Sequence, residues 1–595
     1  MYILGISCFY HESAAGLIKD GRVVAASAEE RFSRKKHDSS YPALAVAFCL
    51  QQAGITAKQL DFVVFYEKPF WKFQRIFQTI LATYPNSSEL FSRAMLNWFS
   101  EKLWVKSILA DKLDVNPTKI LFVPHHISHA AASFYPSGFQ KAAVLTVDGV
   151  GEWTTTAMGV GEGTKLTLMR EIRFPHSLGL LYSVFTAFLG FEVNDGEYKV
   201  MGMAPYGKPK YVDKVRKLVT AYPDGSFRLN MEYFTFHSSA ETSYGRKFAQ
   251  LFGKPRPHDL HFFTKGSGYP SYFGTKPKNY EELCELNQRY ADIAASVQTY
   301  TEEMLLTLAQ KLYEETKCEN LVVGGGVGLN SVANGVLLRQ SPFKRIFIQP
   351  AAGDDGGALG AALAVYHGML GKKRTYTQDT AYFGAGFTDR EIEDTLKKQR
   401  IPYKKMRTET ELVNTLVSEL VHKRVIGFFH GRAEWGPRAL GARSIIANPM
   451  TEEMKDVVNV RIKFREPYRP FAPVVLAEKA ADYFEMGKKD HQYLTKFMLG
   501  VFAVKKNKRK VVPAITHVDG SARPQIITQK QNARYYNIVK KFGQKTGVYV
   551  LMNTSFNLKG EPIVNSPSDA LRTFKASGLD ILALERYIIR KADLI

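Results

Sequence analysis

Short apolar runs separated by polar or glycine-containing turns dominate the first half of the chain, and their period is that of strands. Tyr2–Ser7, Ala15–Lys19 and Val23–Glu29 form one set, with Lys19-Asp20-Gly21-Arg22 as the turn between its last two members. Ala142–Val147 and Thr155–Val160 form a second set, divided by the turn Asp148–Gly151. Two strand–turn–strand units, far apart and each followed by helix-like runs, predict a duplicated α/β core. Another apolar strand, Leu321-Val322-Val323, enters the glycine-rich turn Gly324–Asn330 and then a helix-like run of small residues. A further one, Phe347-Ile348-Gln349, leads to Gly353-Asp354-Asp355-Gly356-Gly357. Residues 65–120 change to helical spacing, with Phe73, Phe77, Ile80 and Leu81, then Leu96, Phe99, Leu103 and Trp104. They predict a helical insertion packed on the body. The stretch 221–275 is irregular and rich in Tyr, Phe, Gly and Pro.

A chain of 595 residues exceeds a single core, so two or three domains are expected. The run Gly371-Lys372-Lys373-Arg374-Thr375 reads as the linker, giving domains 1–370 and 371–595. No apolar run approaches the roughly 18 residues of a membrane span. The first residues enter a strand pattern without the basic region and cleavage site of a signal peptide, and the four cysteines include no Cys-x-x-Cys pair. A cytoplasmic protein is the expectation. An excess of 80 basic over 57 acidic residues, +23, favours anionic partners without choosing among nucleic acid, acidic membrane and phosphorylated small molecules.

Chemistry concentrates at a few places. His125 and His129 are four apart and share a face of any helix that starts there. Asp148 follows an apolar strand, where α/β sheets place ligand groups, and Asp354 and Asp355 follow another. Two imidazoles with two carboxylates suit Fe, Mn or Zn. The histidine pair by itself fits equally well a helix start with His129 packed in the core. The turn Gly324–Asn330 exposes backbone N–H groups of the kind that approach phosphates. The second half is dense in arginines set among Gly and Pro, in Gly431–Ser444 and Arg461–Pro473. Converging guanidinium forks hold a polyanion such as ATP, whereas pairing with Glu434 and Glu466 accounts for only some of them.

The ordered set of blocks resembles the O-carbamoyltransferase family that includes nodulation-factor and antibiotic carbamoyltransferases. The resemblance rests on Gly5-Ile6-Ser7 to His11, Glu30–His37, His125–His129 with Asp148, Gly196–Gly207, Gly324–Asn330, Gly353–Gly357 and the arginine-rich blocks. It implies an α/β protein with two parts. The first is a duplicated actin/hexokinase-like domain, similar to tRNA threonylcarbamoyl-transferases and carrying the helical insertion. The second is a YrdC-like α/β domain. The implied reaction takes carbamoyl phosphate and ATP with Mg2+ to carbamoyl-adenylate in the second part. The first part then transfers the carbamoyl group to a hydroxyl of a small-molecule acceptor from natural product biosynthesis.

The resemblance also implies roles. His125, His129, Asp148 and Asp354 hold a divalent metal, Fe2+ ahead of Mn or Zn, with Asp354 chosen over Asp355 because the family has a single aspartate there. His11 is the general base and Lys36 neutralises developing charge beside it. Arg438, Lys463, Arg469 and Arg523 clamp phosphates during adenylate formation. Gly149, Gly151, Lys199, Gly202, Gly324, Gly325, Gly326, Asn330, Arg443, Arg465 and Asn553 bind nucleotide or cofactor. Glu12 stands where the family has aspartate, and His430 where glutamine is common. A homodimer is the assembly considered. Two other readings compete: a tRNA-modifying carbamoyl or threonylcarbamoyl transferase, for which RNA-reading aromatic–basic signatures are not evident, and a non-catalytic nucleotide-binding module, against which the arginine-rich second part argues.

Overall fold

The computed structural model describes residues 1–594. Contacts divide them into two compact units: the first comprises 1–26 and 39–378, the second 27–38 and 379–594.

The first unit is built on two five-stranded sheets of one topology. In the first sheet β1 (Tyr2–Ser7), β2 (Ala14–Lys19) and β3 (Arg22–Ala28) form an antiparallel meander, and β4 (Phe62–Phe65) and β5 (Ile120–Phe122) join parallel to β1, in the order β3-β2-β1-β4-β5. The second repeats this with the meander β6 (Lys141–Val147), β7 (Thr154–Glu162) and β8 (Lys165–Arg173). After a small hairpin of β9 (Val219–Ala221) and β10 (Phe227–Leu229), β11 (Asn320–Gly324) and β12 (Arg345–Ile348) complete the order β12-β11-β6-β7-β8. The duplication expected from the strand patterns is present: both sheets follow the same strand order. Strands β1, β6 and β11 are apolar almost throughout because both sheet faces are covered.

Between β4 and β5 lie α3 (Pro69–Thr83), α4 (Ser88–Ser100) and α5 (Val105–Leu113), preceded in the chain by α1 (Glu30–Ser33) and α2 (Ala43–Ala53). After β5 comes α6 (His125–Phe134), which packs against the helix Asp354–Leu363. That second helix reads Asp-Asp-Gly-Gly-Ala-Leu-Gly-Ala-Ala-Leu, and its small residues permit close approach. A Cβ on Gly360 would sit 1.9 Å from the Ser128 carbonyl oxygen, so only glycine lets the two helices touch there. Among the described residues no helix is long and apolar enough to cross a membrane.

The first unit extends past the expected linker at 371–375. Arg374 donates to the carbonyls of Phe134, Tyr135 and Phe139, and Gln378 exchanges amide hydrogen bonds with Gln349. These contacts hold 371–378 on the first unit and move its boundary to Gln378.

The second unit has an eight-stranded mixed sheet. Its strands are β13 (Lys404–Lys405), β14 (Ile426–Phe429), β15 (Arg443–Ala447), β16 (Ala472–Leu476), β19 (Gln525–Ile527), β20 (Val550–Ser555), β21 (Ile581–Leu584) and β22 (Tyr587–Arg590). Their order is β13-β22-β21-β14-β15-β20-β16-β19, and β17 (Phe502–Ala503) pairs separately with β18 (Ser521–Ala522). The early segment 27–38 is fastened to this unit. Arg31 donates to the Gly436 carbonyl at 2.8 Å, and Arg34 donates to the carbonyls of Ile563 and Pro562 at 2.6 and 2.7 Å.

Candidate functional site

Four side chains from three elements converge in the first unit. His125 and His129 lie one turn apart on α6, Asp148 stands just past β6, and Asp354 opens the helix Asp354–Leu363. One ligand atom from each lies within 4.8 Å of the others. The two Nε2 atoms are 3.0 Å apart, and Asp148 Oδ2 is 3.1 Å from His125 Nε2. Asp354 Oδ1 is 3.6 Å from His125 Nε2 and 3.5 Å from His129 Nε2. Donors bound about 2.1 Å from one ion at right angles stand about 3 Å apart, so the spacing fits a first-row divalent metal. The chemistry of the set, two imidazoles and two carboxylates, fits Fe, Mn and Zn alike.

The chain around these residues holds them in place. Glu152 caps α6, accepting the His125 backbone N–H at 2.9 Å in place of the proline at the N-cap. The Gly326 N–H donates to Asp148 Oδ1 at 2.8 Å, and a Cβ on Gly326 would press to 3.0 Å from the same oxygen. Gly151 lies against the His125 ring, where a Cβ would meet it at 2.9 Å. Both glycines thus shape the His/Asp cluster, a different task from the phosphate cradle expected of them. His126 is wedged between the Thr146 hydroxyl (2.7 Å) and the Thr154 carbonyl (2.8 Å). Burial, followed by repulsion from His125 and His129, lowers its pKa to about 3. It is therefore a neutral imidazole that donates from Nε2 and accepts at Nδ1.

Charge in the cluster is strongly coupled. Burial by itself would lower the His125 pKa, but Asp354 and the Asp148 hydrogen bond outweigh it and raise it to about 9. Burial opposes ionisation of Asp148, yet the His125 hydrogen bond, the charges of both histidines and the Gly326 N–H hold it well below the usual carboxylate range. His11 lies at the rim, with Nε2 3.8 Å from Asp354 Oδ2. Asp355 turns back to accept its own helix's Gly356 N–H.

Several expected ligand residues are occupied elsewhere. Asn330 caps the next helix through the Ala333 N–H and pairs with Gln298, so its amide serves the fold. Arg443 is a correction: its fully buried guanidinium lies 3.5 Å from the Phe429 ring centroid and donates to the carbonyls of Ala385, His430, Gly431 and Ala442. Its Nε is buried without a partner. Lys199 and Gly202 lie on the short helix Glu197–Met203, with Lys199 3.9 Å from Asp195. The Gly149 carbonyl accepts from Ser177. Gly324 and Gly325 continue the turn that ends at Gly326.

A cluster of the opposite character occupies the second unit. Burial, then the charges of Arg465 and Arg469 and, more weakly, Lys36, press the Lys463 ammonium well below its ordinary range. Burial, Arg469 and Arg523 do the same to Arg465 against the pull of Glu466. Five cations thus share one neighbourhood, and Lys36 belongs to them. The segment 27–38 that carries it belongs to the second unit. Lys463 Nζ reaches the Ser555 and Asn557 carbonyls at 2.9 and 2.8 Å. Arg469 has Glu466 at 3.8 Å. Arg438 stands on the loop entering β15, with Nε buried. Asn553 donates to the Ala439 carbonyl while its Oδ1 stays buried without a partner.

The fold is that of a two-unit α/β protein with a His/Asp cluster in one unit and a basic cluster in the other. The chain belongs to the carbamoyltransferase family: the carbamoyltransferase N-terminus family matches residues 2–363 and the carbamoyltransferase C-terminus family residues 417–591. An uncharacterised Synechocystis protein, sll1178, is 46% identical, over 99% of this chain and 97% of its own length. The nodulation protein NolNO of Sinorhizobium fredii is 33% identical over 98% of this chain and 79% of its own. The 3'-hydroxymethylcephem-O-carbamoyltransferase of Streptomyces clavuligerus is 32% identical over 46% of this chain and 49% of its own. Component A of (R)-2-hydroxyglutaryl-CoA dehydratase from Acidaminococcus fermentans overlays at a TM-score of 0.31 and 16% identity, covering 62% of this chain and 99% of that one. That overlay is too loose to add to the topology.

Proposed function

We propose that this chain is an ATP-dependent O-carbamoyltransferase that uses carbamoyl phosphate and acts on a hydroxyl of a small molecule. The observation that carries this reading is the gathering of Lys36, Lys463, Arg465, Arg469 and Arg523 in the second unit of a carbamoyltransferase. Cations that repel one another at rest are stabilised by a polyanion, and the family's reaction has phosphates to place there.

In the second unit, water releases phosphate from carbamoyl phosphate to leave carbamate. A carbamate oxygen then attacks the α-phosphorus of ATP with Mg2+, and pyrophosphate departs. Arg438, Arg469, Arg523 and Lys36 balance charge on the phosphates, and Lys463 orders the Ser555–Asn557 loop beside them. This is the carbamoyl-adenylate chemistry of a YrdC-like domain. In the first unit, His125, His129, Asp148 and Asp354 would hold a divalent metal, which when bound supplies Lewis acidity. His11 takes the proton of the acceptor hydroxyl at Nε2 as the oxygen attacks the carbamoyl carbon, and AMP leaves.

The test is incubation of the purified protein with ATP, carbamoyl phosphate and Mg2+ without acceptor. Pyrophosphate and AMP dependent on carbamoyl phosphate, and lost in Arg438→Ala, are the expected result. ADP in place of AMP, or no pyrophosphate, overturns the adenylate chemistry.

A further inference from the structure

Next to the His/Asp cluster, the chain leaving β4 carries three consecutive residues that address it. Tyr66 donates its hydroxyl to Asp354 Oδ2 at 3.4 Å, and its carbonyl accepts from Ser128 of α6 at 2.8 Å. The Lys68 N–H donates to Glu152, the carboxylate that caps α6. Glu67, between them, is buried and forms a 2.6 Å ion pair with buried Lys72 on α3. Its Oε2 lies 3.8 Å from His125 Nδ1. That nitrogen is buried and has no hydrogen-bond partner.

The orphaned nitrogen has a specific meaning if His125 binds an ion. Nε2 is the atom that faces the other donors, so Nδ1 must carry the proton of the neutral ring. A buried N–H without an acceptor is costly, and metal-bound imidazoles ordinarily donate that proton to a carboxylate or carbonyl. Glu67 sits on the far side of the ring from the cluster, so its place is that of a partner to the ligand, not of a fifth ligand.

We propose that Glu67 is a positioning residue that accepts the Nδ1 proton of His125 and sets the tautomer and orientation of that ligand, with Lys72 of the helical insertion holding the carboxylate in reach. This rests on the reading of the four-residue cluster as a metal centre. It gives the insertion a task at the transfer site: α3 supplies the cation that pairs with the buried carboxylate.

The test is titration of the full-length protein with Mn2+, followed by electron paramagnetic resonance, with the visible spectrum of the Co2+-loaded protein as a second readout. Glu67→Gln is expected to weaken Mn2+ binding roughly tenfold or more and to shift the Co2+ bands. Glu67→Gln leaves Lys72 buried and unpaired, so the double variant Glu67→Gln/Lys72→Met carries the test if the single variant does not fold. The same loss of affinity in the double variant supports the proposal. Folded variants that bind Mn2+ as tightly as wild type, while His125→Ala does not bind, overturn the role of Glu67 and leave the metal centre standing. A wild-type protein that takes up no Mn2+, Co2+ or Fe2+ overturns both.

Discussion

The His/Asp cluster of the first unit and the basic cluster of the second are opposite solutions to the same difficulty, charge removed from water. In the first, groups of both signs meet, with Asp148 Oδ2 3.1 Å from His125 Nε2. In the second, cations repel one another, with Glu561 and Glu466 pulling the other way on Lys463 and Arg465. The first holds its geometry through its own contacts. The second is ordered in part by carbonyl acceptors, those of Ser555 and Asn557 for Lys463.

The strongest way to break this comparison is to remove a metal-centre carboxylate. Asp148→Asn is expected to abolish metal retention and lower carbamoyl transfer about a thousandfold, while acceptor-free pyrophosphate release is unchanged. Elemental analysis of the purified variant and the two rates, measured side by side, check it. Equal loss of both rates would erase the division of labour between the units. Arg469→Ala should do the reverse, cutting pyrophosphate release by about a hundredfold with metal content intact.

A smaller effect comes from pH. The folded protein holds the Lys463 proton more weakly than an unfolded chain with the ordinary value of 10.5. Between those two values the unfolded state binds more protons, so this group makes stability rise with pH and fall as pH drops through the window. Thermal unfolding of the ligand-free protein across alkaline pH should show that slope, and Lys463→Met should flatten it. The mildest test is occupancy. ATP at a hundred times its Kd contributes roughly 2.7 kcal/mol and should raise the Tm by a few degrees. Arg469→Ala should lose that rise, whereas Asp148→Asn should keep it.

Much of the first unit was legible in the sequence because its signals are local. The strands beginning at Tyr2 and Ala142, the His125–His129 spacing and the Asp148 tip all lie within short windows, and period or spacing reads them. The helical insertion showed itself in the same way. Glu152, Glu67 and His126 did not, since their meaning depends on which atom each meets across the fold. Arg443 misled for a related reason. An arginine in a Gly/Pro loop reads as a phosphate ligand until four backbone carbonyls are found around it. Lys36 lies in a segment whose pattern is continuous with the first sheet, and nothing in that pattern says the chain has moved to the other unit.

That excursion bears on how the protein is made and how it can be dissected. Ser27–Asp38 leaves the ribosome before any of 379–595 exists, so the fragment bearing Lys36 is made ahead of the rest of its unit. A gene cut at the linker yields a C-terminal piece without Arg31, Arg34 and Lys36, and an N-terminal piece trailing a stretch with nothing to grip. The chain passes between the two units three times, at 26/27, 38/39 and 378/379, and any attempt to swap or express them apart has to carry all three crossings.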